Sequence, residues 1–228
     1  MRKALIACSV VSTLLLPFAC TSVHRRFMVE GYQKDPGRMI KRIVIISRTP
    51  PPHEDLAGLI SAITRDLLKT NRNYLVYGTV STESEAAEAC KTRDGVLRMA
   101  LEKADAKGER MDLQITGELR RCSDKSVVWS ATGRASGKSR NLSLKNLVQN
   151  YVEKHGYLAE VYAAPAFNII EDLVETMPNP ELTEEELLEK IDLEMSPAPG
   201  KAILHDRFMM VLPAEEYFKN PAMNERIK

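Results

Sequence analysis

The sequence predicts an α/β (α+β) domain on a small mixed sheet, in β-α-β-α-β-β-α order, with additional carboxy-terminal helices. Three observations carry this reading. Ile43-Val44-Ile45-Ile46 is a short run of β-branched apolar residues, which suits a strand buried on both faces. Leu56, Leu59, Ile60, Ile63 and Leu67 recur at helical spacing, giving the stripe of a helix that lies on a sheet. Met111, Leu113, Ile115 and Leu119 alternate with Asp112, Gln114, Thr116 and Glu118, the period of a half-exposed strand.

The elements follow in order. Arg48-Thr49-Pro50-Pro51-Pro52 stops the first strand and opens the first helix, which ends near Thr70-Asn71-Arg72-Asn73. Tyr74 to Tyr77 is a second strand, and a polar, acidic segment runs to Ala89. Gly95 to Lys103 (GVLRMALEK) reads as a short helix with Val96, Leu97, Ala100 and Leu101 on its apolar side. Lys107-Gly108-Glu109 is a turn into the alternating strand. Cys122 to Ser126 is a hairpin turn and Val127 to Ser130 the return strand. Ser143 to Lys154 is a helix with Leu144, Leu147, Val148, Tyr151 and Val152 on one face, ended by Gly156. A further helix is expected over Ala164 to Thr176, with Pro165 in its first turn and Phe167, Ile170, Leu173 and Val174 inward. Pro178 and Pro180 break it; Thr183-Glu184-Glu185-Glu186 then forms a capping box ahead of Leu187, Leu188 and Ile191. Residues 201–228 read as a tail, with Phe208 to Leu212 apolar enough to dock.

The amino terminus addresses the compartment. Met1-Arg2-Lys3 is basic, and Ala4 to Phe18 is almost wholly apolar but too short for a comfortable membrane span of about 20 residues. Ala19-Cys20 follows, a small residue before a cysteine. This resembles the lipobox of bacterial lipoproteins, in which the cysteine is acylated and becomes the amino terminus. The box has leucine three residues before the cysteine; here Pro17 stands there and Leu16 one position earlier. The expectation is therefore a lipid anchor at Cys20, against an ordinary secreted chain cut near Ala19 or an uncleaved anchor. The divisions expected are a signal peptide over 1–19, a lipid-anchored linker over 20–40, the α/β domain over 41–156, a helical extension over 157–196 and a tail over 197–228. The neutral Thr21-Ser22 after the cysteine favours the outer membrane, on its periplasmic face.

Charge and cysteine usage narrow the classes further. Without Arg2 and Lys3, Lys+Arg falls from 32 to about 30 against 31 Asp+Glu, so no basic stripe points to nucleic acid. Cys8 leaves with the signal and Cys20 takes lipid, which leaves Cys90 and Cys122. Two thiols in an oxidising compartment are expected to form one disulfide, two unrelated buried thiols being the alternative. His24, His53, His155 and His205 are scattered, so neither metal nor another cofactor is expected.

Candidate chemistry is sparse. Gly133 to Ser139 (GRASGKS) imitates a phosphate loop, but three residues rather than four separate the glycine from Gly-Lys-Ser. The following helix starts too late to aim its amides into the loop. A Gly/Ser-rich edge loop is the reading, and no nucleotide is expected. His155 sits at a helix end, suited to the carbonyls and dipole there. Glu184 to Glu186 belong to a helix start, and Trp129 to the core.

Thr116-Gly117 and Val128-Trp129-Ser130, within MDLQITGELRRCSDKSVVWSATG, resemble a hairpin that recurs in bacterial envelope lipoproteins. That class includes the periplasmic activators of penicillin-binding proteins, curli-secretion lipoproteins and the amino-terminal domain of the Tol–Pal translocation protein. The resemblance covers about residues 40–155 and implies a non-enzymatic domain that works by docking to another envelope protein. It carries over no binding residues. The expectation is thus a lipid-anchored periplasmic accessory protein, not an enzyme, held to the membrane through Cys20 and docking through the segment Tyr157 to Leu193 or the tail. A cell-wall hydrolase and a carrier of a small apolar ligand are the alternatives.

Overall fold

The computed structural model describes residues 20–107, 110–138 and 145–195. Its strands are β1 (Cys20–Met28), β2 (Arg42–Arg48), β3 (Leu75–Val80), β4 (Gly95–Lys107), β5 (Arg110–Arg121) and β6 (Val127–Lys138). Its helices are α1 (Leu56–Asn71), α2 (Glu83–Ala89), α3 (Lys145–His155), α4 (Tyr157–Thr176) and α5 (Glu184–Met195). The sheet runs β1-β6-β5-β4-β2-β3. β2 is parallel to β3 and β4, and the β4-β5-β6-β1 half is antiparallel. The mixed α/β class expected from the sequence is the observed one.

Burial follows from this order. Ile43 and Ile45 face α1 in the main core, while Val44 and Ile46 pack with Ala86 of α2 on the other side. β2 is therefore buried on both faces, as its unbroken apolar run requires. The face of β4, β5 and β6 opposite the main core is polar, with Thr116 and Thr132 hydrogen-bonded at 3.0 Å.

Four expectations need correction. Gly95–Lys103 is strand, not helix. Leu97, Met99 and Leu101 are buried at alternate positions, and pairing with β2 and β5 outweighs the helix preference of Leu, Ala, Glu and Lys. The helix of that crossover is α2, inside the segment read only as polar and acidic. Its signal was present in Thr82-Glu83-Ser84-Glu85: the Thr82 hydroxyl accepts from the Glu85 N–H, and Glu85 accepts from the Ser81 N–H at 2.8 Å.

The linker over 20–40 is likewise structured. Cys20–Met28 is an edge strand on β6. Beyond it the buried Tyr32 ring joins the core, and its hydroxyl accepts from the Ile40 N–H at 2.7 Å. The sequence disguised this strand because an edge tolerates charge; Arg25 and Arg26 blunt its open side.

The loop read over Gly133–Ser139 is strand as far as Lys138, while Ser139 lies outside the described residues. Trp129, Ala131 and Ala135 are buried at alternate positions, and small residues there let α4 approach. A Cβ on Gly133 would meet Ile169 at 2.7 Å.

Lastly, α4 begins at Tyr157 and contains Pro165 within it rather than in its first turn. Proline lacks the N–H that Val161 would otherwise receive. Packing makes up for it, because Ala159, Ala163, Ala166, Ile169, Ile170 and Leu173 are all buried in the core of the sheet. A division at 156 therefore cuts through one core. The compact unit extends to Leu182, and α5 belongs to a second.

Candidate functional site

Cys20 is the first residue of β1 and pairs with Ser136. Ser136 pairs with Asp112, and Asp112 with Asp105, so one row across four strands marks this end of the sheet. The electrostatics here are dense. Arg134 donates to Asp112 at 2.7 and 2.6 Å, and Lys103 donates to it at 2.7 Å. These contacts hold the Asp112 carboxyl down to about 2, Arg134 contributing most.

The opposite end of the sheet carries an open depression of about 540 Å³. Arg38, Ile40, Arg93, Asp94 and Arg121 line it beside Cys90 and Cys122. The two cysteines are joined in a disulfide with their Cα atoms 5.1 Å apart. Cys90 caps the end of α2, and Cys122 follows the last residue of β5. The bridge thus ties a short helix to the sheet. Asp94 accepts from the Lys41 and Arg42 N–H groups at 3.1 and 2.8 Å. The Arg93 guanidinium lies 3.4 Å from the Tyr77 ring centroid. Arg121 pairs with Asp124 at 3.1 Å, whose carboxyl is held at about 2 chiefly by Ser126. Arginines predominate around this depression, so it suits an acidic group rather than an apolar ligand.

The remaining candidates have structural roles. His155 ends α3 with its ring beside Gly58 of α1. Burial first, then Lys154 and Arg65, lowers its pKa, so a charge–dipole role at neutral pH is not favoured. Gly156 terminates the helix, its N–H donating to the Val152 carbonyl at 2.8 Å. Thr183 and Glu186 form the expected capping box, at 3.3 and 2.9 Å. Trp129 is fully buried, and a Cβ on Gly117 would stand 2.9 Å from its ring. The Thr-Gly and Val-Trp-Ser pieces of the hairpin are thus one packing device: the bare Gly117 makes room for the indole. Among the described residues, no group of three His, Cys, Asp or Glu side chains is placed to hold a metal ion.

α5 is the other notable surface. None of its residues is buried. Leu187, Leu188, Ile191 and Met195 are 45%, 64%, 48% and 72% exposed. Glu184, Glu185, Glu186, Glu189, Asp192 and Glu194 surround them, with Lys190 as the cation.

The fold and its two ends define a mixed-sheet α/β domain with a cysteine at one sheet end and a disulfide-braced arginine depression at the other. No family model and no curated protein matches the sequence. Solved structures similar in fold include PelC of Paraburkholderia phytofirmans in two dodecameric crystal forms. It is 18% identical, with TM-scores of 0.48 and 0.45, covering 71% and 67% of this chain and 100% and 96% of PelC. Lipoprotein GNA1162 of Neisseria meningitidis is 12% identical over 50% of this chain and 96% of its own, with a TM-score of 0.33. The protein XCC0632 of Xanthomonas campestris is 11% identical over 59% of this chain and 81% of its own, at 0.37. Bacterial lipoproteins are thus among the structures this chain resembles, at scores that carry no conclusion about its activity.

Proposed function

We propose that this chain is a lipid-anchored accessory protein of the bacterial envelope, without catalytic activity, that docks another envelope protein through α5. The observation that carries the docking is α5 itself. A cluster of exposed large apolar residues is unusual on a soluble surface and marks an interaction site. Here Leu187, Leu188 and Ile191 lie within one helix start, on spacings that place them along one side. The acidic remainder of the helix disfavours an anionic bilayer and favours a protein partner with a basic rim around an apolar groove. The anchoring is supported by the signal-like amino terminus, in which a basic start and a short apolar run lead to Ala19-Cys20.

Two measurements test this reading. Metabolic labelling with a fatty acid should mark the wild type and not Cys20→Ala; equal label in both overturns the anchor. A photo-crosslinker at Glu189 should yield one discrete adduct in intact cells, and Leu188→Glu with Ile191→Glu should remove it while the unit up to Leu182 melts unchanged. An adduct that survives the double substitution overturns α5 as the docking element. Turnover of a cell-wall substrate by the purified protein overturns the non-catalytic reading.

A further inference from the structure

We propose that the partner of α5 is a second copy of this chain, which receives the helix in its disulfide-braced arginine depression. The proposal rests on the docking reading, a second copy being itself an envelope protein, and names the occupant of that site.

The receiving surface is built for carboxylates. Arg38, Arg93 and Arg121 stand around it against a single lining carboxylate, Asp94. That carboxylate is committed elsewhere, because its Oδ2 accepts both the Lys41 and the Arg42 N–H. Arg93 lies on the Tyr77 ring, and its Nη1 donates to the Thr92 carbonyl. Among the described residues it donates to no carboxylate. Burial and then the Arg42 charge lower the Arg93 pKa, and an arriving carboxylate would oppose that shift. The Arg121 guanidinium stands 5.9 Å from the Tyr32 ring centroid. Rings beneath both guanidiniums hold them in place, so less side-chain freedom is lost on binding. Arg93 comes from the Cys90 arm of the disulfide and Arg121 from the Cys122 arm. The disulfide and Met39 supply the apolar part of the lining.

The helix carries the complement. Leu187, Leu188, Ile191 and Met195 fall on one side of α5. Glu185 precedes Leu188 by one turn and Asp192 follows it by one, which sets the two carboxylates roughly 10 Å apart along the axis. Neither has an ion-pair partner among the described residues; the pair along α5 is Lys190 with Glu194, at 3.6 Å. An apolar knob between two carboxylates thus answers a disulfide between two arginines. One chain holds both halves on different surfaces, so the contact is head to tail rather than a face meeting its own copy. Charge complementarity and the apolar match together choose the second copy as occupant.

The test uses the chain from residue 20 to 228 carrying Cys20→Ser, so that no copy is joined to another through that thiol. Analytical ultracentrifugation from about 1 μM to about 1 mM should show self-association that weakens as salt is raised. Glu185→Arg with Asp192→Arg should weaken it at least tenfold or so, and Arg93→Glu with Arg121→Glu should do the same. Mixing these two variants should restore a one-to-one complex, because one contributes an intact depression and the other an intact α5. Should the glutamate variant not melt like the parent, Arg93→Gln with Arg121→Gln takes its place. A single monomeric species across the range overturns the proposal. So does association that survives the arginine substitutions, which would mark α5 meeting α5. A loss of equal size on Glu153→Arg, on α3, marks a general charge effect and overturns it too. A monomeric protein that still gives a discrete adduct from Glu189 in cells would remove the second copy and leave the docking reading standing.

Discussion

At the residue scale, the most consequential contact is Gly117 with Trp129. The indole sits where a side chain on residue 117 would go, with Met99 Sδ 3.3 Å from the same point. Gly117→Val therefore overfills a packed site and should destabilise the domain by about 1–3 kcal/mol. Trp129 is the single tryptophan of the chain, so urea denaturation followed by its fluorescence reads the effect directly; an unchanged midpoint would show that the ring has room to move. Asp112 makes a second case. Its folded pKa is depressed to about 2 by Arg134 and Lys103. The associated stability is present above the ordinary aspartate range near 3.9 and is lost as pH falls through about 2. A fifth of the side chain is exposed (21%), so solvent screening keeps the contribution modest. Asp112→Asn should flatten the loss of stability between roughly pH 5 and 2 and leave the steeper acid response of other carboxylates in place. Parallel pH profiles for the two proteins would refute this assignment.

Elements are held together by contacts distant in sequence. Arg72, just after α1, donates from Nε to the Val174 carbonyl at 2.9 Å and from a terminal nitrogen to the Glu175 carbonyl at 2.5 Å. Those carbonyls end α4, where a cation also meets the negative end of the helix dipole. Tyr74 donates its hydroxyl to the Pro178 carbonyl at 2.7 Å, and Asn179 accepts from the Asn73 N–H. Arg72→Ala should cost about 1.5–3 kcal/mol and raise amide exchange first in the last turn of α4. Uniform exchange along that helix would instead place its stability in the apolar face alone. The Cys90–Cys122 bridge closes a loop with a sequence separation of 32. A loop of this size corresponds to about 3–4 kcal/mol by chain entropy. Reduction should lower the urea midpoint accordingly and expose α2, a helix with Ala86 as its buried residue. An α2 that keeps its protection after reduction would show that Ala86 and the Glu83–Arg98 ion pair suffice.

For the whole molecule, the question is where the folded unit ends. α4 supplies Ile169, Ile170, Leu173 and Val174 to the same core as Leu97, Ile115 and Trp129. A chain stopped at Gly156 should not fold cooperatively, because the sheet would expose that face to water. A chain stopped at Leu182 should melt like the full protein, since α5 has no buried residue. Calorimetry on both truncations decides this; a melting transition in the shorter chain would show the helical extension to be dispensable. The two sheet ends give the molecule a polarity. From Asp112 to Arg121 along β5 is roughly 30 Å at the rise of an extended strand, which separates the Cys20 row from the arginine depression.

Ile43 to Ile46, the α1 stripe and the β5 alternation were legible from composition and period alone, because each is an element whose side chains meet the core at a regular interval. The capping boxes at Thr183 and, unread, at Thr82 were local too. Cys90 and Cys122 could be paired by elimination once the compartment was inferred. What local pattern did not carry was β1, β4 and the far half of β6. Arg25 and Arg26 are tolerated on β1 because it is an edge. Gly95 to Lys107 is composed for a helix, and its two neighbouring strands overrule that preference by supplying hydrogen bonds and burial from both sides. Gly133 and Ala135 look like a loop until Ile169 and Leu173 of α4 are seen lying against them. In each instance the deciding partner is remote along the chain. The sequence by itself determined the α/β class, the address at Cys20 as an expectation and the periodic core elements. Only the tertiary structure decided that Cys20 opens a strand rather than a tether and that α4 completes the core of the sheet, because register and adjacency arise from pairing between distant segments.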